Sequence, residues 1–201
     1  MPRGEALERQ LESCAALLRG HFRLSSGLNS PGYVQCALLL ADPRRAEQAG
    51  RELAADLNQG GLAIDSVLSP ALGGVIIGHE VAAALGVPFR FVEREGSELR
   101  LRRGFALAPG ERIVVVEDVV TTGKSTLETA RVAESSGARV VAIASIIDRS
   151  AGGHGFQTPY FSLLRLDLPI WPPDACPLCR EGSPAVKPGS RPTAPPQPPS
   201  G

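Results

Sequence analysis

The run Val114-Val115-Val116-Glu117-Asp118-Val119-Val120-Thr121-Thr122-Gly123-Lys124-Ser125 decides how this chain is read. Its first half is apolar on both faces, as a central parallel strand buried on both sides is. It runs directly into two adjacent carboxylates, then two hydroxyl residues, a glycine and the start of a helix. Small residues at that turn let backbone N–H groups converge at a helix N-terminus, where the dipole also favours an anion. Thr121, Thr122 and Ser125 add hydroxyl donors, which makes a cradle for one phosphate monoester. Glu117 and Asp118 would repel phosphate, so they must face another part of the ligand, and a vicinal diol a phosphate-length away suits them. A helix cap accounts for one acid but not for two acids and a hydroxyl-rich turn. Gly123-Lys124-Ser125 also ends a P-loop pattern, yet that pattern needs glycine where Asp118 stands.

Outward from this run the chain alternates strand-like and helix-like texture. Residues 5–19 carry apolar side chains at helical spacing (Leu7, Leu11, Ala15, Leu18), and residues 43–59 form a second helix with Asp42 as N-cap and Pro43 in its first turn. Strands are expected at 66–69, 89–93, 112–118 and 139–148, with helices at 74–85 and 123–136, and 99–105 reads as one arm of a hairpin. Strands alternating with helices imply a parallel α/β sheet, whose ligands sit beyond the carboxyl ends of the strands. Ser69-Pro70-Ala71-Leu72-Gly73-Gly74 is a second strand-end turn opening a helix, and Asp148-Arg149-Ser150 a third.

Composition bounds the rest. The 201 residues are 43% hydrophobic and 21% charged with formal net charge +0, so no overall field draws the chain to nucleic acid or membrane. No apolar run reaches the ~20 residues of a membrane helix. The charged residues 1–10 lack the apolar core of a signal peptide, and a cytoplasmic protein with reduced cysteines is expected. Of 18 prolines, 11 lie between Pro169 and Pro199, so one domain over residues 1–191 and a disordered Pro-rich tail over 192–201 are expected. Cys176-Pro177-Leu178-Cys179 has the spacing of half a zinc site. Cys14, Cys36 and His154 offer no matching second half, so plain packing is the expectation and no metal ligand is assigned. His79 reads as structural, and His21 and His154 have no visible chemical context.

The strand–acid–acid–hydroxyl run closely resembles the phosphoribosyl pyrophosphate (PRPP) signature of type I phosphoribosyltransferases. Three further segments resemble the orotate phosphoribosyltransferases within that family: residues 21–34 (HFRLSSGLNSPGYV), Asp148-Arg149-Ser150, and Cys176 to Cys179 with Val186 to Arg191. The resemblance implies a type I phosphoribosyltransferase fold: a central parallel sheet flanked by helices, a small hood from about 20–35 plus the C-terminal segment, and a mobile β-arm. It implies transfer of ribose 5-phosphate from PRPP to orotate with Mg²⁺, in a homodimer with shared active sites. Transfer to another base, or PRPP sensing without catalysis, are the alternatives. PRPP then falls to Glu117, Asp118, Val119, Val120, Thr121, Thr122, Gly123, Lys124 and Ser125, with Ala71, Leu72, Gly73 and Arg94 on the pyrophosphate side. Orotate falls to Thr121, Arg149 and Ser26. Arg100, Asp118 and Glu117 are the catalytic candidates. The chain departs from the family pattern at three positions, with Ser25, Gly73 and Glu98 where family members carry lysine. That leaves Arg100 or the metal to neutralise the departing pyrophosphate.

Overall fold

The computed structural model describes residues 3–24 and 26–188. Ser25 and the Pro-rich stretch expected to be disordered lie outside the described residues. The chain forms two compact units. The first holds residues up to Leu17 and Val34–Asp167; the second holds Leu18–Tyr33 and the described chain from Leu168.

The first unit is built on a six-stranded sheet from β3 (Ser66–Pro70), β4 (Phe89–Glu95), β5 (Glu98–Leu101), β6 (Arg112–Val120), β7 (Arg139–Asp148) and β8 (Tyr160–Arg165), in the order β5-β4-β3-β6-β7-β8. All neighbours are parallel except the β4–β5 hairpin at one edge. β6 is central, and Ile113, Val114, Val115 and Val116 are each fully buried, as their unbroken apolar run demands. Its helices are α1 (Arg3–Ser13), α2 (Cys36–Leu40), α3 (Pro43–Gln59), α4 (Gly74–Leu85) and α5 (Lys124–Ser135).

Two of these helices cover opposite faces of the sheet. Leu68 packs in one cluster with Ala133 of α5, while a Cβ on Gly78 of α4 would stand 2.1 Å from Ser69 Oγ. Successive strand residues point to opposite faces, so α5 and α4 sandwich β3. α3 begins as its sequence prescribes, with Asp42 accepting a 3.0 Å bond from Arg44 N–H and Pro43 in the first turn. It buries Ala46, Ala49, Gly50, Leu53, Ala54 and Leu57, a helical stripe of small and apolar residues, and packs on α4.

The first helix is shorter than its apolar spacing suggests. α1 stops at Ser13, and Leu17–Arg23 is strand β1. Ala15 takes a left-handed φ of 57°, Ala15 N–H donates to Glu12 O (3.0 Å) and Ala16 N–H donates to Leu11 O (2.8 Å). That is a Schellman stop, which glycine normally marks; alanine hides it. The sequence carries no strand signal for β8, and β5 covers only the start of the expected 99–105 arm. No helix among the described residues is long and apolar enough to cross a membrane.

In the second unit β1 pairs with β2 (Asn29–Val34), and the later chain is stitched to both strands. Trp171 exchanges backbone bonds with Asn29 (2.8 and 2.9 Å). Val186 N–H donates to His21 O (2.8 Å), and Arg23 N–H donates to Val186 O (2.9 Å). Between these ties lies the short helix α6 (Pro177–Arg180).

The α3–α4 contact yields a test. A Cβ on Gly50 would lie 2.5 Å from Glu80 Cβ and 2.7 Å from its backbone carbon. Gly50→Ala gains ~1 kcal/mol of helix propensity but forces two backbones apart, and overpacking typically costs ~1–3 kcal/mol. Because backbone atoms block the methyl, the overlap wins: the thermal midpoint should fall by a few degrees. A variant melting at or above the parent in circular dichroism would show that the helices part freely.

Candidate active site

Three neighbouring parallel strands end at the same edge of the sheet. β3 leads into Ala71-Leu72-Gly73, β6 into the turn at Thr121, and β7 into Arg149. Register places Glu117 beside Ser145 and Val120 beside Asp148, and Arg149 N–H donates to Val120 O at 2.8 Å. The sequence-derived Glu117–Ser125, Ala71–Gly73 and Arg149 groups therefore share one strand-end edge.

Glu117 is 6% exposed and Asp118 is half-buried. Asp118 Oδ1 accepts a 2.8 Å bond from Val119 N–H, and Glu117 Oε1 a long 3.3 Å bond from Asp118 N–H. Ser125 Oγ donates to Glu117 Oε2 at 3.3 Å. Among the described residues no lysine or arginine forms an ion pair with either acid. Burial, reinforced by the neighbouring Asp118 carboxylate, raises the Glu117 carboxyl from its ordinary 4.5 to about 8. Burial also raises Asp118. Such a pair suits a ligand that donates hydroxyl hydrogens or carries its own cation.

The loop after β3 approaches these acids closely. A Cβ on Gly73 would stand 2.8 Å from Asp118 Oδ1, and one on Gly74 would stand 2.9 Å from Val116 O and 3.3 Å from Glu117 Oε1. Asp118 thus occupies the space that a side chain at residue 73 would need, which suits glycine there. The Ala71–Leu72 peptide is cis. In the β6 turn, Thr121 and Thr122 are exposed and Gly123 is left-handed at φ 74°. A Cβ there would stand 2.8 Å from the Phe156 ring and 2.9 Å from His154 O, so glycine is required twice over. Leu127 N–H donates to Gly123 O (2.8 Å), which starts α5.

Arg149 is partly buried, and its Nε has no partner. Burial lowers its pKa, and among the described residues it makes no ion pair. The adjacent acid does not neutralise it: fully buried Asp148 instead accepts from Ser150 N–H (2.8 Å), Ser150 Oγ (2.6 Å) and Arg165 Nε (3.1 Å). Burial pushes the Asp148 carboxyl up, but these bonds outweigh it and hold it below its ordinary value. Arg165 stands on β8, the strand not anticipated, and no local signal in the sequence ties it to this turn.

The arm residues lie elsewhere. Arg94 donates to Ser97 O (2.7 Å) and to Glu128 Oε2 on α5 (2.8 Å), and Lys124 reaches the same Glu128 at 3.9 Å. Arg100 pairs with Glu98 (2.9 Å) and Glu95 (3.6 Å), Arg102 with Glu95 and Arg103 with Glu93. The arm's cations thus rest on carboxylates of the hairpin and of α5, and none of these ion pairs involves Glu117 or Asp118. Ser26 is exposed in the turn between β1 and β2, within the second unit.

The raised Glu117 carboxyl has a measurable signature. The folded chain holds this proton more tightly than the unfolded chain. Stability from this group is therefore complete below the unfolded value near 4.5 and is lost as pH rises through about 8. Glu117→Gln cannot ionise, so its melting temperature relative to the parent should climb with pH across that window and level off above it. A difference that stays flat from pH 5 to 8.5 would mean the acid is not protonated in the ligand-free fold.

Residues 39–172 match the family model described as the phosphoribosyl transferase domain. The chain is 51% identical over 176 residues to the orotate phosphoribosyltransferase of Heliobacterium modesticaldum, covering 88% of this chain and 92% of that one. It is 50% identical over 181 residues to that of Thermotoga maritima, covering 90% and 96%. Among solved structures it resembles the orotate phosphoribosyltransferase from Aeropyrum pernix, with TM-score 0.65, 29% identity and coverage of 80% of this chain and 93% of that one. With most of its length matched on both sides, and the acids, hydroxyl turn and strand-end loop standing at one sheet edge, the chain belongs to the orotate phosphoribosyltransferases of the phosphoribosyltransferase family.

Proposed function

We propose that the chain transfers the ribose 5-phosphate of PRPP to orotate, releasing pyrophosphate and forming orotidine 5′-monophosphate in de novo UMP synthesis. One observation carries this reading: a buried and a half-buried acid without a cation, a hydroxyl-rich helix start and a partly buried arginine with an unpartnered Nε meet at adjacent strand ends. The acids suit a ribose diol, the turn suits a phosphate monoester, and the arginine suits a planar anion.

In this reading Thr121, Thr122, Gly123, Lys124 and Ser125 hold the 5-phosphate through N–H and hydroxyl donors. Val119 and Val120 shape the strand end, and the Val119 N–H keeps Asp118 in place. Glu117 and Asp118 accept from the 2- and 3-hydroxyls and so fix the anomeric carbon. Leu72 and Gly73 offer backbone N–H groups to the pyrophosphate, the glycine permitting close approach, while Ala71 N–H donates to Val92 O (2.8 Å) and so fixes where the loop leaves the sheet. Arg149 pairs with the orotate carboxylate and Thr121 offers it a hydroxyl.

The ring nitrogen of orotate attacks the anomeric carbon as the bond to the pyrophosphate oxygen breaks, and the ring-nitrogen proton passes to solvent. Catalysis rests on positioning and on stabilising charge that grows on the leaving group. Glu117 and Asp118, which no cation of the described chain pairs with, would hold a Mg²⁺ brought in with the substrate, and it would supply part of that neutralisation. Arg94 and Arg100 supply the rest from the arm of a second copy in a homodimer, exchanging Glu128, Glu98 and Glu95 for phosphate oxygens.

Orotate absorbance followed with PRPP and Mg²⁺, with adenine, hypoxanthine and uracil as parallel acceptors, tests the reading. Orotate alone should be consumed, and Asp118→Asn should lower kcat/KM at least about tenfold, the cost of one charge-assisted hydrogen bond. Arg149→Ala should raise KM for orotate by roughly 10- to 100-fold while leaving KM for PRPP near the parent's. Clear PRPP binding without turnover of any base would overturn the proposal.

A further inference from the structure

Cys176 and Cys179 acquire a partner that their spacing does not reveal. His21, on β1, sits 6% exposed with Nε2 at 3.4 Å from Cys176 Sγ and 3.7 Å from Cys179 Sγ. The three ligand atoms lie within 4.8 Å of one another, and all the cysteines are free thiols. We propose that His21, Cys176 and Cys179 bind one thiophilic divalent cation, best matched by Zn²⁺, as a structural site of the second unit.

The three ligand atoms stand as three corners of a tetrahedral site. With Zn–N near 2.05 Å and Zn–S near 2.3 Å, a tetrahedral N···S edge is about 3.6 Å, and the observed 3.4 and 3.7 Å bracket it. The histidine tautomer is already the one a metal requires. His21 Nδ1 lies 2.8 Å from Ser183 O, which can only accept. Nδ1 therefore carries the proton and Nε2 presents its lone pair to the two sulfurs, the usual outer-shell arrangement of a metal-bound histidine. Charge balances as well, because two thiolates and a neutral imidazole neutralise a divalent cation in a site where Cys176 is fully buried. Two thiolates and an imidazole select Zn²⁺ over harder cations.

Asn29 supplies an independent indication. It is 2% exposed, Nδ2 donates to Cys179 Sγ at 3.1 Å, and Oδ1 has no partner. A buried carboxamide oxygen without a donor is costly. A half-turn of the amide brings Oδ1 to the position Nδ2 now holds, beside the sulfurs, and so provides an oxygen for the fourth corner. The scaffold is rigid where it must be. His21 and Asn29 are tied through their backbones to Val186 and Trp171, and α6 starts at Pro177 so that Cys176 and Cys179 flank its first turn.

The test uses the full chain without an affinity tag, kept reduced with a phosphine. The metal-free protein is titrated with Zn²⁺ against a chromophoric chelator, and separately with Co²⁺ under absorbance. One equivalent of Zn²⁺ should bind. Cobalt should give a near-ultraviolet thiolate-to-metal band together with the intense visible bands of tetrahedral coordination. Cys176→Ser and Cys179→Ser should each weaken Zn²⁺ binding by roughly 100-fold and diminish the cobalt band, and His21→Ala should shift the visible bands. Binding unaltered by the serine variants overturns the proposal, as does a Cys176–Cys179 disulfide in protein isolated without oxygen. The cobalt spectrum of the unaltered chain decides the matter even if a variant does not fold: no thiolate band, no site.

Discussion

Two carboxylates forced side by side at the end of a buried strand set the terms for everything around them. Glu117 and Asp118 leave the sheet where β6 emerges, flanked by β3 and β7, and no cation of the described chain pairs with them. An acid pair in that position is costly in the ligand-free protein, and the Glu117 carboxyl responds by holding its proton to about 8. The neighbours are arranged to tolerate it. Gly73 and Gly74 have no Cβ to crowd the carboxyl groups, Ser125 returns a hydroxyl, and Val119 N–H faces Asp118. The electrostatic debt stays open until a ligand brings hydroxyl donors or its own metal.

The same economy of charge appears at β7. Asp148 and Arg149 are adjacent, yet the acid takes its bonds from Ser150 and Arg165 while Arg149 Nε goes unpartnered. Had Asp148 faced Arg149, the guanidinium would be neutralised and of little use to an anion. Arg165, from the next strand, frees it. The arm shows the opposite condition, with each of its arginines resting on a glutamate of the hairpin or of α5. Those exposed pairs are weak and exchangeable, which suits cations that must leave their carboxylates for a transient anion.

Much of this could be read from residues alone, for identifiable reasons. The run through Glu117 to Ser125 is legible because its chemistry is contiguous: strand, acids, hydroxyls and glycine follow in the order in which they are used. The start of α3 is legible because Asp42 and Pro43 are a local signal. The end of α1 is not, because Ala15 takes the conformation that glycine usually announces. β8 escaped because Tyr160–Arg165 shows no alternation. Arg165 and His21 are invisible for a different reason. Their partners stand far away in sequence and are brought to them by strand pairing and backbone bridges, which no spacing rule encodes.

The bridges that hold Trp171 to Asn29 and Val186 to His21 also impose an order of assembly. The β1–β2 hairpin precedes the strands of the sheet in the chain, yet its outer hydrogen-bonding groups are answered only by residues some 140 to 165 positions later. The contacts of the sheet, by comparison, join strands no more than 47 positions apart, the longest being Ser66 to Ile113. During synthesis the hairpin therefore waits with unpaired edges while the sheet can already form. The hairpin, made before the sheet, is completed after it.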